Sequence, residues 1–399
     1  MDAGFLMVIL EILLIAIGAI LTVPALILFA QVTGALLHRH LTPEIAGPRP
    51  RVAILMPAHD EAVGIGRPLQ LLLQQLLPTD RLVVVADNCS DETARIASAA
   101  GAEVIERQDP TRRGKGFALD FGVRHLERDP PQVVIIADAD CDFAPGAVDR
   151  LARECQARGR PVQALYLMLS PEDAGTRTRI AQFAWLVKNL VRPSGFKALG
   201  LPCHLMGSGM AFPWGCIRSA QLATGHIVED MQLGLELART GQPTLFCPDA
   251  LVTSSFPKSE DGIRSQRTRW EHGHLGLILT DAPKLILNSV RRADIATLAL
   301  ALDLLVPPLA LLVMLVTFNT VLGAVFAMAS GRHAPLISAL TALALVAGSV
   351  LLAWFRYGRR ILSLYTLASA PVYALRKIPI YISFMLSRQL DWVRSKRDP

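Results

Sequence analysis

Apolar and polar positions alternate in three different ways along the chain. Phe5–Ala30 is an apolar run with Glu11 as its only charge. At a rise of about 1.5 Å per residue, a helix of that length crosses a hydrocarbon core of about 30 Å. The run is too long for a signal-peptide core and lacks a basic start and a small-residue cleavage site, so it reads as a retained span. Near the other end, Leu309–Ala329 and Ala334–Phe355 each have the length of a span. Ile295–Val306, which precedes Pro307-Pro308, would overextend the first of these; it reads as an interfacial segment or the lower half of a kinked helix. Ile361–Leu386 is interrupted by Pro371, Arg376, Lys377 and Pro379. An interfacial or re-entrant segment fits it better than a clean span.

Between Arg51 and Asn288 the apolar runs shorten to strand length and alternate with helical stretches. VAILM (52–56) leads to a helix around Leu69–Leu77, LVVVA (82–86) to Thr93–Ala100, and VVIIA (133–137) to a helix around Val148–Cys155. Further strand-like runs lie at Val162–Leu169 and Thr244–Cys247. Continuous apolar strands alternating with helices predict an α/β domain with a parallel sheet covered on both faces.

Composition agrees with this division. Of 399 residues, 52% are hydrophobic and 19% charged, and the mean hydropathy is +0.38. A soluble domain carries about 25% charged residues, so a wholly soluble protein is not expected, and disorder, collagen and a disulfide scaffold are excluded. The formal charge is +6. His38, Arg39, His40, Arg49 and Arg51 follow the first span, with only Asp2 before it, and Arg291, Arg292, Arg356, Arg359 and Arg360 flank the later ones. Positive residues stay cytoplasmic, so the middle domain is expected inside a cell membrane, bacterial in type, with the N-terminus outside. These charges suit anionic lipid headgroups rather than nucleic acid. The six cysteines form no CxxC pair and are expected as thiols.

In parallel α/β sheets the ligand crevice lies beyond the carboxyl ends of the strands. PAHDE (57–61), DNCSDE (87–92) and DADCD (138–142) each deliver acids to that edge. One such acid alone is commonly a helix cap; three on one edge indicate a site. Asp138 and Asp140 are spaced as an extended strand end would need to aim both the same way, and two such carboxylates suit Mg2+ or Mn2+ shared with a phosphate. Asp140 and Asp142 have the same spacing. RRGKG (112–116) opens a helix and offers Arg113, Lys115 and backbone amides to an anion, or is a solvated basic turn. It is not a P-loop, and no GxGxxG follows a strand, which removes P-loop hydrolysis and Rossmann hydride transfer. Glu229-Asp230 heads a helical stretch, where an acid is either a dipole partner or a general base toward a sugar hydroxyl. In QRTRW (266–270), Gln266, Arg269 and Trp270 share one helix face, suited to a phosphate and a sugar ring or to lipid headgroups. His272 and His274 lack a third ligand and read as structural or interfacial.

Taken in order, PAHDE, DNCSD, RRGKG, DADCD, GSGMAF (207–212), VED (228–230) and QRTRW resemble the membrane-embedded family 2 glycosyltransferases, the group of cellulose, chitin, hyaluronan and poly-N-acetylglucosamine synthases and ceramide glucosyltransferase. The resemblance covers about Arg51–His274. It implies a GT-A fold flanked by transmembrane helices, a nucleotide-sugar donor, UDP-linked by expectation, a divalent cation, and single-displacement inversion at the anomeric carbon. By motif, Glu61 and Asp87 would hold base and ribose, Lys115 would approach the diphosphate, and Asp138 and Asp140 would serve nucleotide and metal. Asp230, beside Glu229, would be the base; Gln266 and Arg269 would stabilise the departing diphosphate. Trp270 would floor an acceptor site lined by Gly207, Ser208 and Gly209. Val228 replaces the Thr that many polymerising members carry before ED, and HLMGSG replaces their aromatic-Cys-Gly acceptor motif.

The domain plan expected is therefore a span at 1–32, a cytoplasmic catalytic domain at 51–260, QRTRW and interfacial helices at 261–294, and a membrane block at 295–399. Glu11 and Asp303 are too few intramembrane charges for a substrate path through this chain alone, which weighs against a transporter. A retained Asp230 weighs against a subunit that only binds nucleotide sugar. The activity expected is sugar transfer to a glycan or lipid acceptor, with surface polysaccharide assembly slightly ahead of single transfer to a lipid, and an export or accessory subunit as a possible partner. QRTRW lies just before the membrane block, so the acceptor end is expected to open toward the bilayer.

Overall fold

The structure is a computed structural model that describes residues 3–37, 47–171, 173–257 and 260–386. Asp2, His38, Arg39, His40 and the basic tail after Leu386 lie outside the described residues. The chain forms two compact units. Among the described residues, one comprises 47–171, 200–257 and 260–273; the other comprises 3–37, 173–199 and 274–386.

The first unit holds an eight-stranded sheet: β1 (Val52–Ala58), β2 (Arg81–Asp87), β3 (Glu103–Arg107), β4 (Val133–Ile136), β5 (Asp142–Phe143), β6 (Val162–Leu169), β7 (Met210–Pro213) and β8 (Leu245–Ser255). Their spatial order is β3-β2-β1-β4-β7-β6-β8-β5. β1 pairs in parallel with β2 and β4, and β2 with β3. β7 enters antiparallel between β4 and β6. The interiors of β1, β2 and β4 are buried on both faces, which is why they read as unbroken apolar runs. The Lys115–Leu126 helix packs on one face through Ala118, Leu119, Val123 and Leu126, against Leu55, Val83 and Val85. β1, β2 and β4 therefore end side by side, and the turns that follow them carry the acidic motifs.

The second unit is helical. Helices Ala3–Leu37, Leu309–Ser330 and Ala334–Ala353, the last extended by a π-turn at Trp354–Gly358, are long and apolar enough to cross a membrane. Ile295–Leu304 is a separate short helix, and 361–386 carries three short helices, Leu364–Ala368, Ala370–Leu375 and Ile378–Leu386. The segment between β6 and β7, helix Thr176–Leu186, a π-turn at Val187–Val191 and helix Arg192–Ala198, groups with these apolar helices, although the sequence boundary of 51–260 encloses it. Its anchor is polar. Arg192 bonds Asp303 Oδ1 at 2.6 Å and the Asp303 carbonyl at 2.7 Å, and its Nε donates to Gln31 Oε1 at 3.2 Å. All three residues are buried. Glu11 likewise has a partner, Arg332 at 2.6 Å. The two acids that the sequence offered as intramembrane charges are thus each neutralised by an arginine distant in sequence. All six cysteines are free thiols.

Candidate active site

Pairing of β4 with β1 stops at Ile136, and the chain turns at once: the Cys141 N–H donates to the Asp138 carbonyl at 3.1 Å. Asp138 and Asp140 therefore sit in a turn rather than on an extended strand end, because the Asp138 N–H leaves the ladder and donates instead to Ser208 Oγ at 3.0 Å. The turn still gathers ligands. Oxygens of Asp138 and Asp140 and the Cys141 sulfur lie within 4.8 Å of one another. Asp142 falls on β5 and pairs with Arg67 at 2.9 Å, so the Asp138/Asp140 spacing, not Asp140/Asp142, makes the group. Two hard carboxylates at this separation fit Mg2+ or Mn2+.

Lys115, the first residue of its helix, reaches into this group. Its Nζ lies 2.5 Å from Asp138 Oδ1 and donates to the Gly207 carbonyl at 2.7 Å. Gly207 (φ +95°) marks the centre: a Cβ placed there would lie 3.4 Å from Asp230 Oδ2, 3.8 Å from Asp138 Oδ2 and 4.0 Å from Lys115 Nζ. A side chain would fill the space that the three groups share. Burial acts to lower the Lys115 ammonium, but Asp138, Glu229 and Asp230 together outweigh it and hold it above its ordinary value. Burial, reinforced by Asp140 and opposed by Lys115, raises the Asp138 carboxyl. Burial and the neighbouring Asp230 push Glu229 up to about 7, against the pull of Lys115 and Arg269. Glu229 and Asp230 occupy the first turn of helix Glu229–Arg239. Arg269 lies on the Glu260–Thr280 helix with Gln266 and Trp270, and its buried Nε has no hydrogen-bond partner among the described residues.

Of the three residues expected to line an acceptor site, Gly207 stands beside Asp230, Asp138 and Lys115. Ser208 is fully buried, with its hydroxyl committed to Asp138 N–H. Gly209 (φ +67°) packs beneath, where a Cβ would lie 2.6 Å from Ala164 Cβ. Gln163 on β6, which sequence reading passed over, is the support of this loop: its Nε2 donates to the Ser208 carbonyl at 2.9 Å, and its Oε1 accepts from Met206 N–H at 2.8 Å. A lone amide inside the apolar run VQALYLML was the signal for it.

Past the end of β1, Glu61 is buried and its N–H donates to Thr93 Oγ1 at 2.7 Å. Asp87 ends β2 and pairs with Arg107 at 2.5 Å, and its carbonyl meets His59 Nδ1 at 2.7 Å. Arg113 is exposed. His274, expected to be structural, meets the Leu304 carbonyl through Nε2 at 3.1 Å.

The family model described as "Glycosyltransferase like family 2" matches residues 48–273, more than half of the chain, and the chain belongs to that family. Probable glycosyltransferase YdaM of Bacillus subtilis is 26% identical over 248 residues, 58% of this chain and 56% of that protein. The 4,4'-diaponeurosporenoate glycosyltransferase of Staphylococcus aureus is 35% identical over 112 residues, 27% of this chain and 29% of that protein. The chain thus spans about half the length of the first relative and under a third of the second. Mannosyltransferase PcManGT from Pyrobaculum calidifontis, solved with GDP-Man and Mn2+, superposes on 95% of this chain and all of its own, with a TM-score of 0.58 at 18% identity. The fold is GT-A, with apolar helices at both ends, and the enzyme is a family 2 glycosyltransferase.

Proposed function

We propose that the chain moves a sugar, with inversion, from a UDP-linked donor to a membrane-proximal acceptor in the assembly of a surface polysaccharide. The convergence of Lys115, Asp138 and Asp230 on Gly207 carries this reading. It sets a diphosphate-binding cation, a metal-type carboxylate and a candidate base around one space free of side chain. A divalent cation held by Asp138 and Asp140 would offset charge on the leaving diphosphate. Lys115, its proton held firmly by three acids, adds a fixed positive charge on the same side. Asp230 takes the proton of the acceptor hydroxyl as that oxygen bonds to the anomeric carbon and the sugar–phosphate bond breaks, its electron pair leaving with the diphosphate. Arg269, beside Glu229, meets the departing anion, and Trp270 gives the acceptor ring an apolar platform.

The helical unit supports a membrane setting. Ile20, Phe318 and Ile337 are each more than 60% exposed on helices that would need cover from lipid. Helices Ala3–Leu37 and Ala334–Ala353 run parallel: Glu11 meets Arg332, the Ser338 hydroxyl meets the Ile15 carbonyl, and Tyr357 meets the Ala35 carbonyl. Both therefore finish at the end marked by Arg356, Arg359 and Arg360, the cytoplasmic end by the distribution of positive charge. Single-sugar transfer to a lipid is the second reading, favoured by the similarity to a glycosyltransferase named for 4,4'-diaponeurosporenoate.

The test is to incubate membranes containing the protein with a panel of radiolabelled nucleotide sugars and Mn2+ or Mg2+. Transfer to polymer or lipid is expected, abolished by chelator and reduced by about 10²–10⁴ in Asp230→Asn. Full activity in that variant overturns the base assignment, and no transfer from any donor overturns the reading. Product size separates a polymerase from a single-addition enzyme.

A further inference from the structure

We infer that Arg107 is a positioning residue for the donor's nucleotide, one guanidinium that fixes both the carboxylate facing the base and the turn leading to the diphosphate lysine. This rests on the nucleotide-sugar reading above and adds to it a residue outside every motif that pointed there.

Asp87 and Arg107 stand opposite each other in the parallel β2–β3 register, and both are buried. Asp87 Oδ1 receives two bonds, from Arg107 Nη1 at 2.5 Å and from Asn88 Nδ2 at 3.0 Å, while Oδ2 receives none among the described residues. The carboxylate is thus locked in rotation with one acceptor oxygen left over, at the carboxyl edge of the sheet. An ionised carboxylate only accepts, so the remaining oxygen suits a ring N–H of a nucleobase.

The other arm of the fork reaches away from the base. Arg107 Nη2 donates to the Arg112 carbonyl at 2.9 Å and to Asp109 Oδ2 at 3.2 Å, and the guanidinium carbon lies 5.7 Å from the centre of the Phe117 ring, two residues beyond Lys115. Asn88 (φ +51°) closes the loop: its N–H donates to the Arg107 carbonyl at 2.7 Å, and its Oδ1 accepts from Asp109 N–H at 2.7 Å. Asp109 is held well below the usual carboxylate range by bonds from Thr111 and Arg112, so the turn stays anionic opposite Arg107. A planar fork can serve both sides at once; a lysine ammonium, a point donor, cannot reproduce that geometry.

A pair that merely closed the sheet edge would affect stability and leave donor handling alone, which defines the test. Full-length protein in nanodiscs is titrated with UDP, with GDP for comparison, and assayed with the donor it uses; Arg107→Lys, Asp87→Asn and the double variant are compared. Arg107→Lys is expected to weaken UDP binding and raise the donor KM by about tenfold or more, with kcat within about twofold and Mn2+ binding to the nucleotide-free protein unchanged. The double variant should bind UDP no worse than Asp87→Asn alone, because Arg107 acts through Asp87. Unchanged UDP affinity and KM with a lowered melting midpoint, or additive losses in the double variant, overturns the inference. Should Arg107→Lys not fold, Asp109→Asn in the outer turn tests the same coupling: a few-fold rise in KM supports it and no change overturns it. Wild-type protein that binds neither UDP nor GDP overturns the nucleotide-sugar reading, and this inference with it.

Discussion

Among the described residues of the helical unit, Arg192, Asp303 and Gln31 form a charge-matched, closed set, in which Asp303 Oδ1 accepts from both the Arg192 guanidinium and the Gln31 amide. Asp138, Asp140, Glu229 and Asp230 in the catalytic unit form an open one, with Lys115 and Arg269 as the cations acting on them. Burying charge is costly wherever it is done. In the first set the cost is offset within the chain. In the second, four carboxylates face two cations, and burial, reinforced by Asp140 at Asp138 and by Asp230 at Glu229, raises those two carboxyls. A fold tolerates such an imbalance where a ligand completes it, here a divalent cation and a diphosphate under the proposed function. The contrast separates buried charge that holds helices together from half-buried and exposed charge that awaits a partner.

The contrast breaks if the closed set is not structural. Asp303→Ala or Arg192→Met strands the other charge, and each is expected to destabilise the protein by about 3–5 kcal/mol. The double variant Arg192→Met/Asp303→Leu should recover most of that loss, since an apolar replacement of a matched pair is often neutral. Thermal unfolding in detergent measures both. Equal stability of the single variants and the wild type would show that the cluster does not anchor segment 173–199.

Next in size is the open set. Asp140 is exposed, and in Asp140→Asn unfolding should move by no more than about 0.5 kcal/mol. Mn2+ binding, read by electron paramagnetic resonance, should weaken by about tenfold or more, since one of two carboxylate ligands is lost. An Asp140→Asn protein that is strongly destabilised yet binds Mn2+ normally would place Asp140 among the structural charges.

These two sets were unequally legible in the sequence. Apolar runs gave β1, β2, β4 and β6 and the three long helices, because burial on both faces, or in lipid, leaves a continuous apolar signature. The acidic site was legible because each acid follows directly on such a run. β3, with the sequence EVIER, was missed: an edge strand is buried on one side only, and its charged residues break the pattern, so Arg107 went with it. β7 is a short antiparallel insertion ending in Pro213 and carries no βα signal. The roles of Ser208 and Gln163 depend on a loop closing over β4 and β6 across 45 to 70 residues. Arg192 finds Asp303 across 111 residues, a pairing set by helix packing rather than local spacing.

The smallest effect, and the one most specific to the open set, is a slope. Glu229 has an ordinary value of 4.5 and sits at about 7 in the folded chain. Between those values the native protein holds a proton that the unfolded chain has released, so the slope of stability against pH is negative there. Glu229's contribution is full below about 4.5 and is lost as the pH rises through about 7. Metal-free wild type should therefore lose stability from about pH 5 to 7 more steeply than Glu229→Gln, in which nothing titrates at that position. Saturating Mn2+ should flatten the wild-type slope, because an added cation favours the ionised carboxyl. The double variant in the closed set should keep the wild-type slope, since it leaves the acids of the catalytic unit untouched. Parallel curves for wild type and Glu229→Gln would mean that the excess charge is carried elsewhere in the site.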